Sequence, residues 1–173
     1  MRNILLLMHI SLDGYTAGPQ GEMDWIAVDE EIFDYTNKLT DSADTAIYGR
    51  VTYEMMESYW PTAAEQPNAT KHDINHARWY NAAHKLVFSR TLETAAGKNI
   101  SLLKTPDAAE IARLKQQPGK NLVLIGSPSL ARAFIQLGLI DQYWLNVNPV
   151  ILGGGIPLSI ALASDFARCC MAA

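Results

Sequence analysis

The sequence predicts an α/β protein of three layers, with helices on both faces of a mainly parallel central sheet. Apolar segments of strand length alternate with segments of helical periodicity along the 173 residues, and such alternation is typical of crossover connections between parallel strands. In sheets of this kind, ligands bind beyond the carboxyl ends of the strands. The turns that follow the strands are therefore the first place to look for a functional site.

The predicted strands are short apolar runs. They cover residues 3–10, 45–48, 85–89, 100–103, 121–125 and 143–150. The polar, glycine-containing stretch from Ser11 to Gly21 is predicted as a loop, and so is the stretch from Trp60 to Asn75, which contains Pro61 and Pro67. A long loop inside a compact domain often carries function.

The predicted helices carry start and stop signals. One runs from about Asp29 to Leu39, with acidic residues in its first turn, and another from Arg50 to Ser58. A third follows Thr105 as N-cap and Pro106, and ends before Gly119. A fourth follows Ser127 and Pro128 and stops at Gly138.

Length and composition predict one globular domain over residues 1–173. The chain is 49% hydrophobic and 18% charged, and no repeat or linker divides it. Its 14 basic residues are scattered among 18 acidic ones, for a net charge of -4. A nucleic-acid partner is therefore not expected, because duplex binding needs clustered Lys and Arg.

The apolar segments and the cysteines indicate the cellular location of the protein. The early apolar run from Ile4 to Met8 is too short to cross a bilayer, and no cleavage site follows it, so neither a membrane span nor a secretory signal is expected. The two cysteines, Cys169 and Cys170, are adjacent and cannot join distant segments. We expect a cytoplasmic protein.

The turn after the strand at 45–48 has the chemistry of a phosphate site. Gly49, Arg50 and Thr52 bring free backbone N–H groups, a guanidinium and a hydroxyl to a helix start. The alternative interpretation is a tight turn with a solvated arginine.

Two further turns have similar chemistry. Gly126 and Ser127 open a helix, although a simple helix cap would explain them too, and Ser89 and Arg90 end another strand. Three such turns on one sheet edge favour a dinucleotide ligand. The sequence lacks both the GxGxxG helix start and the P-loop motif.

Other candidate motifs are weaker. His72 and His76 are four residues apart, but nothing completes a metal set, so we expect loop histidines in solvent and no metal. The run Gly153 to Gly155 precedes a proline rather than a helix pattern and predicts a close-packed turn beside the ligand.

Motifs in register along residues 2–158 resemble the dihydrofolate-reductase-like family that includes the reductase domain of bacterial riboflavin biosynthesis, the RibD C-terminal type. They are the Ser11-Leu12-Asp13-Gly14 loop, Asp24-Trp25, Gly49-Arg50-x-Thr52-Tyr53, the strand ending at Ser89-Arg90, Gly138 to Asp141, and Pro149 to Gly153. The resemblance implies the three-layer fold with a central sheet of that family's type.

The resemblance also implies NADPH as cofactor. Gly49, Arg50 and Thr52 would bind its phosphates, Ser89 and Arg90 its 2′-phosphate or adenine side, and Gly126 and Ser127 its pyrophosphate. The hydride would pass to a small planar heterocycle of pterin or pyrimidine type, 5-amino-6-(5-phosphoribosylamino)uracil being one candidate.

This chain departs from the family pattern at three places. Ser127 stands where the family usually has a second glycine, Tyr15 stands where the riboflavin reductases commonly have a basic residue, and residues 159–173 lack the usual closing strands. A sheet edge left open in this way invites pairing with a second subunit, so we expect a homodimer.

Four residues are candidates for the substrate side. Asp13 is the candidate catalytic residue, either as a proton donor with a pKa raised by partial burial or as a substrate anchor; a simple Asp-Gly turn is the alternative. Ser11, Tyr15 and Trp25 are expected to bind substrate, although Trp25 could instead pack in the core. A non-catalytic nucleotide- or flavin-binding module remains the alternative function.

Overall fold

The computed structural model describes residues 1–159. Eight strands are present in this range: β1 Ile4–Ser11, β2 Tyr15–Ala17, β3 Ala43–Gly49, β4 His84–Phe88, β5 Ile100–Leu103, β6 Asn121–Ile125, β7 Gln142–Asn148 and β8 Ile156–Pro157. Six of them form one sheet in the order β5-β4-β3-β6-β1-β7, and every pairing in it is parallel. The predicted parallel α/β fold is confirmed.

Five α-helices and one 3₁₀ helix connect the strands. They are α1 Glu30–Asp41, α2 Arg50–Tyr59, the 3₁₀ helix Trp60–Glu65, α3 Lys71–Ala82, α4 Ala108–Gln116 and α5 Pro128–Gln136. No helix in the described part of the chain is long and apolar enough to cross a membrane.

The helices lie on both faces of the sheet because its central strands are apolar on both faces. Ile4, Leu6 and Met8 of β1 share a cluster with Ile111 of α4 and Phe134 of α5. The alternate residues of β1 belong to a second cluster with Leu39 of α1, and a third cluster holds residues of α2 and α3. Burying each large apolar side chain contributes about 1.5–3 kcal/mol to stability.

The end of α5 shows why a glycine is required there. Gly138 has a φ of +64°, and the amides of Gly138 and Leu139 donate to the carbonyls of Ile135 and Phe134 at 3.0 and 2.9 Å. These bonds satisfy carbonyls at the end of the helix. The predicted stop at Gly138 is therefore confirmed.

Three local predictions were wrong. The stretch 60–75 is not a loop, since it holds the 3₁₀ helix and the start of α3, whose cap Thr70 and Asp73 bond reciprocally. Helix α4 is capped by Asp107 rather than Thr105, because the Asp107 carboxylate accepts the amide of Glu110. The loop 11–21 contains β2, which pairs antiparallel with β8. Residues 160–173, which include most of the atypical C-terminal stretch, lie outside the described residues.

The expected solvated histidines are also a wrong prediction, because both lie on α3 among aromatic rings. The His72 ring stacks on Phe33 of α1 with centroids 3.7 Å apart, and the His76 ring lies 4.1 Å from that of Trp60. His76 is only 3% exposed, and neither of its ring nitrogens has a hydrogen-bond partner among the described residues. Burial lowers the pKa of His76 to about 3.

This burial makes stability depend on pH. The unfolded chain protonates His76 near pH 6.5, whereas the folded chain resists protonation down to about pH 3. Between these values the unfolded state binds more protons, so stability falls as the pH falls. We expect His76→Leu to reduce that slope by up to about 1.4 kcal/mol per pH unit, as measured by urea unfolding at several pH values.

The more exposed His84 provides the control, because burial also lowers the pKa of His84 but by less than that of His76. His84→Leu should leave most of the slope in place. An unchanged slope in His76→Leu would contradict the assignment.

Candidate cofactor and substrate site

The turn after β3 leads directly into α2 and leaves the start of that helix uncapped. Gly49 is the N-cap residue, so no side chain accepts the free amides of the first turn, and that turn contains no acidic residue. Free amides at a helix start carry the positive end of the helix dipole and attract anions. The carboxyl edge of the sheet thus has an anion-attracting helix start after β3.

The start of α5, after the neighbouring strand β6, is uncapped as well. Ser127 occupies the N-cap position predicted for it, but its hydroxyl makes no bond to the helix. By contrast, α1, α3 and α4 are capped by the side chains of Asp29, Thr70 and Asp107. Of the five α-helices in residues 1–159, the two without a side-chain cap are the two that start beside each other on neighbouring strands.

The Ser127 hydroxyl instead joins the two turns. Its Oγ accepts the Gly49 amide at 2.9 Å and donates to the Ile125 carbonyl at 3.2 Å, while the Ser127 amide donates to Oγ1 of Thr52 at 3.2 Å. Ser127 has a φ of +55°, a conformation that favours glycine. These bonds hold the helix starts of α2 and α5 in a fixed relation.

A cleft of about 660 Å³ opens beside these helix starts. Its lining includes Gly49, Arg50, Thr52, Ser89, Arg90 and Ser127. Gly126 lies behind Thr52, where a Cβ on Gly126 would come within 3.4 Å of the Thr52 methyl. The structure therefore brings the seven residues of the expected cofactor site together.

The cleft contains residues that the sequence reasoning missed. Lys104 and Thr105 line it without having been expected there, and Ser129, which belongs to the predicted turn at Gly126 and Ser127, lines it as well. Lys104 directly follows β5, so its position at the carboxyl end of a parallel strand was the available signal. Three cations, Arg50, Arg90 and Lys104, line the cleft, and no carboxylate is among its described lining residues.

Among the described residues, the side chains of Arg50 and Ser89, which line the cleft, make hydrogen bonds only within their own helix or turn. Arg50 pairs with Glu54 one turn along α2 at 3.0 Å, and both side chains are nearly half exposed. Such a pair contributes about 0.3–0.5 kcal/mol, so a phosphate can displace Glu54. The Ser89 hydroxyl accepts the Leu92 amide at 2.9 Å and orders the turn after β4.

Asp13 lies at the end of β1, and its environment contradicts the expected raised pKa. Its carboxylate accepts the Ser11 hydroxyl at 2.6 Å and the amides of Gly153 and Leu152 at 2.8 and 3.2 Å. These bonds, led by that from Ser11, hold the pKa of the carboxyl below its usual value, and Asp13 is exposed rather than desolvated. A charged carboxylate in this position anchors the glycine turn to the β1 loop.

The close packing predicted for the glycine turn is found at Gly155, whereas a Cβ on Gly153 or Gly154 would meet no atom within 4 Å. Gly155 has a φ of +136°, and a Cβ there would stand 2.2 Å from the Ala17 carbonyl oxygen. Ile156, the next residue, lines the cleft. The Asp13 contact thus holds a turn that leads directly into the cleft wall.

The other residues of the expected substrate group are placed around the same loop. Ser11 is buried, and its hydroxyl is used by Asp13 and by the Tyr15 amide. Tyr15 is half-buried in β2. Trp25 is half-buried outside the core clusters, and its indole N–H donates to the Glu22 carbonyl at 3.1 Å. The Ser11 hydroxyl is therefore occupied by hydrogen bonds within the loop, whereas the rings of Tyr15 and Trp25 are partly accessible to solvent.

The parallel sheet and its edge cleft define a protein of the dihydrofolate-reductase-like fold class. The model of the RibD C-terminal domain family matches residues 2–162, and the chain belongs to that family. The Bacillus subtilis (strain 168) protein YyaP, itself uncharacterized, is 35% identical over 163 residues, which cover 92% of this chain and 81% of YyaP.

Solved structures share the fold at lower identity. A putative riboflavin biosynthesis protein from Shewanella sp. PV-4 is 24% identical, with a TM-score of 0.69 over 94% of this chain and 86% of the other. Dihydrofolate reductase from Enterococcus faecalis, solved with NADP(H), is 12% identical, with a TM-score of 0.58 over 91% of this chain and 77% of the other.

The contacts of Ser127 predict an order of stability among its variants. Ser127→Ala loses the bond to Gly49 and keeps a strained φ, whereas Ser127→Gly loses the same bond but relieves the strain. We expect both variants to be less stable than the wild type, and the glycine variant to be more stable than the alanine variant by about 1 kcal/mol.

Urea unfolding measures this difference, with Ser129→Ala as the matched control. Ser129 lines the same cleft but makes none of the bonds between the two turns. If Ser127→Ala were as stable as Ser129→Ala, the bond between the turns would have no energetic role.

Proposed function

We propose that this protein is a cytoplasmic NADPH-dependent reductase that binds the dinucleotide in the cleft beside α2 and α5. The observation that carries the proposal is the meeting of two uncapped helix starts and three cations in a cleft whose described lining has no carboxylate. A volume of about 660 Å³ is typical of small-molecule and cofactor sites.

Each part of the cleft has a task in this proposal. The first-turn amides of α2 and α5 bind phosphate oxygens, and the Arg50 guanidinium exchanges Glu54 for a phosphate. Arg90 and Lys104, which follow β4 and β5, bind the 2′-phosphate that distinguishes NADPH from NADH. The Ser127 hydroxyl is committed to Gly49, so Ser127 acts as a positioning residue rather than as a pyrophosphate donor.

The reaction we propose is transfer of a hydride to a C=N or C=O carbon of a small substrate that contains a planar heterocycle of pterin or pyrimidine type, while water supplies the proton to the adjacent atom. The bound dinucleotide supplies the hydride, and the protein supplies binding and orientation. Membership of the RibD C-terminal family supports 5-amino-6-(5-phosphoribosylamino)uracil as one candidate substrate. In this proposal Asp13 positions the turn that borders the cleft. It does not act as a proton donor, because its low pKa keeps the carboxylate charged near neutral pH.

The arginines provide the direct test. We expect Arg50→Ala to weaken the binding of NADPH and NADH alike by about tenfold, because it removes a charge-assisted bond to a shared phosphate. Arg90→Ala should weaken NADPH about tenfold and NADH little. Fluorescence titration with each nucleotide measures both effects.

Arg113→Ala is the control, since Arg113 lies in the last turn of α4, away from the cleft lining. The proposal fails if the wild type binds neither nucleotide. It also fails if the arginine variants bind both nucleotides as well as Arg113→Ala does.

A non-catalytic nucleotide- or flavin-binding module is the second candidate function. The same anion-attracting cleft would hold its ligand, and the low pKa of Asp13 removes the proton donor expected from the sequence. NADPH oxidation with a panel of pterins, pyrimidines and quinones supports the reductase. Tight nucleotide binding without turnover on any of them supports the module.

We also propose a homodimer that forms through β7, which lies beside β1 at the edge of the sheet formed by residues 1–159. Tyr143, Leu145 and Val147 lie on one face of β7 and are 52%, 37% and 55% exposed. The strand contains no charged residue and no proline, the features with which proteins usually protect an edge. A twofold axis at Leu145 would pair Tyr143 of one subunit with Val147 of the other.

A charge on this face tests the dimer. Leu145→Lys should shift the protein to monomer in analytical ultracentrifugation, because the twofold arrangement sets the two lysines against each other. The same change at Leu137, another exposed leucine, which follows α5, should leave the mass unchanged. A monomeric wild type would contradict the proposal.

A further inference from the structure

A second cavity opens at the amino edge of the sheet, the edge opposite to the cofactor cleft. Its volume is about 740 Å³, larger than that of the cleft. The parallel register brings Thr45, His84, Ser101 and Leu122, which lie near the starts of β3, β4, β5 and β6, into its wall. Residues of α4 complete the wall on one face of the sheet.

The floor of this cavity is apolar. Leu86 of β4 and Leu122 of β6 are buried members of the core cluster that includes residues of α4 and α5. Leu103 and Leu114 pack against that cluster and remain partly exposed. All four leucines line the cavity, so a ligand there can bury an aliphatic side chain of its own.

A buried arginine lies in the wall of the cavity. Arg2 is only 8% exposed, and its Nε donates to the Lys120 carbonyl. Its Nη2 donates to the Asp44 carboxylate and to the Thr45 hydroxyl. Gly119 packs over the guanidinium, because a Cβ on Gly119 would come within 3.3 Å of Cζ. These contacts hold the guanidinium in one orientation.

One end of this guanidinium is not used by the fold. Arginine has five N–H donors, and the contacts of Nε and Nη2 use three of them. Nη1 makes no hydrogen bond with any of residues 1–159 and, unlike the ring nitrogens of His76, it retains accessible surface. Since Arg2 lines the cavity, the two N–H groups of Nη1 are available to an acceptor that enters it.

An acidic side chain lines the same cavity and is not used either. The carboxylate of Glu110, in the first turn of α4, makes no hydrogen bond or ion pair among the described residues. By contrast, the Asp44 carboxylate is committed, because its two oxygens accept from Arg2 and from the Lys120 amide. Within residues 1–159, the cavity thus presents one unused cationic donor and one unused carboxylate.

The imidazole of His84 adds no charge to the cavity near neutral pH. Burial lowers the pKa of His84, and the charges of Lys85 and Arg2 lower it further. Its Nε2 lies 3.0 Å from the Ser101 hydroxyl, so these two groups satisfy each other. A ligand therefore meets one cation and two carboxylates in the described lining.

These charges select a zwitterion. A simple anion is disfavoured, because Asp44 already neutralises Arg2 and Glu110 adds a further negative charge. A simple cation would pair with Glu110 and leave the N–H groups of Nη1 without an acceptor. A ligand with a carboxylate for Arg2, an ammonium group for Glu110 and an apolar body for the leucines uses every available group.

We propose that this cavity is a second ligand site, which binds an apolar α-amino acid or a short apolar peptide through its carboxylate, its ammonium group and an aliphatic side chain. Arg2 binds the carboxylate and Glu110 binds the ammonium group. The proposal is independent of the proposed reductase function, because no residue of this cavity lines the cofactor cleft.

Leucine and two truncated analogues test the charged contacts separately. 4-Methylpentanoate lacks the ammonium group, and 3-methylbutylamine lacks the carboxylate. We expect leucine to bind at millimolar concentration or below, and each analogue to bind about tenfold more weakly because it loses one charge-assisted bond. Titration of the ¹⁵N-labelled protein, followed by NMR, measures these affinities. Leucyl-leucine in the same series shows whether the free amino acid or the peptide is the better ligand.

Glu110→Gln tests the acidic side chain, because it removes the charge and keeps the shape of a partly exposed residue. It should weaken leucine binding by about tenfold and should not weaken the binding of 4-methylpentanoate, which has no ammonium group. Glu93→Gln is the matched control. Glu93 is an exposed glutamate outside the cavity lining, so its substitution should change neither affinity.

The wild-type spectra locate the ligand independently of how the variants fold. Leucine should shift the backbone amides of His84 and Ser101 and leave those of Gly49 and Ser127, at the other edge of the sheet, in place. Shifts confined to the cofactor cleft would overturn the proposal. So would equal affinity for leucine and either analogue, unchanged leucine binding in Glu110→Gln, or no binding of leucine or leucyl-leucine at millimolar concentration.

Discussion

The Gly49 amide donates to the Ser127 hydroxyl, and this bond holds two helix starts at fixed positions on one sheet edge. The bond is possible because β3 and β6 are neighbouring parallel strands, so the turns that follow them emerge at the same edge. Since α2 and α5 lie on opposite faces of the sheet, their free amides approach the edge from both sides. Moving either turn would separate the amides from the cations around them.

The polar groups along the carboxyl edge divide into those that serve the fold and those left available. Asp13, Ser11 and Asn148 are saturated by contacts within the loops. The first-turn amides of α2 and α5 lack side-chain caps and remain available. These available amides lie where three cations line the cleft, so this part of the sheet edge attracts anions.

The sequence predicted those features that depend on local chemistry. The parallel sheet follows from apolar runs alternating with helical periodicity, and the Gly138 stop follows from its position after the last apolar residue of α5. The turns after β3, β4 and β6 were predicted to meet because parallel strands end together, and the structure places them around one cleft.

The features that the sequence could not predict depend on distant partners. Ser127 was predicted to cap its own helix, but its hydroxyl bonds an amide 78 positions away. The pKa of Asp13 was expected to rise, but the bond from the Ser11 hydroxyl lowers it most, together with amides of the glycine turn some 140 positions along the chain. The polar composition and the prolines around residue 67 led to the prediction of a loop where α3 begins. The histidines of α3 are buried by contacts with the 3₁₀ helix and α1, which the local sequence does not show.

The most direct test of the central claim is the change in backbone amide chemical shifts when the ¹⁵N-labelled protein is titrated with NADPH. The uncapped helix starts predict that the largest downfield shifts occur at the first-turn amides of α2 and α5, because these bind phosphate oxygens. The capped starts of α1 and α3 should not move. Shifts concentrated at those capped helices, or an unchanged spectrum at saturating NADPH, would contradict the account.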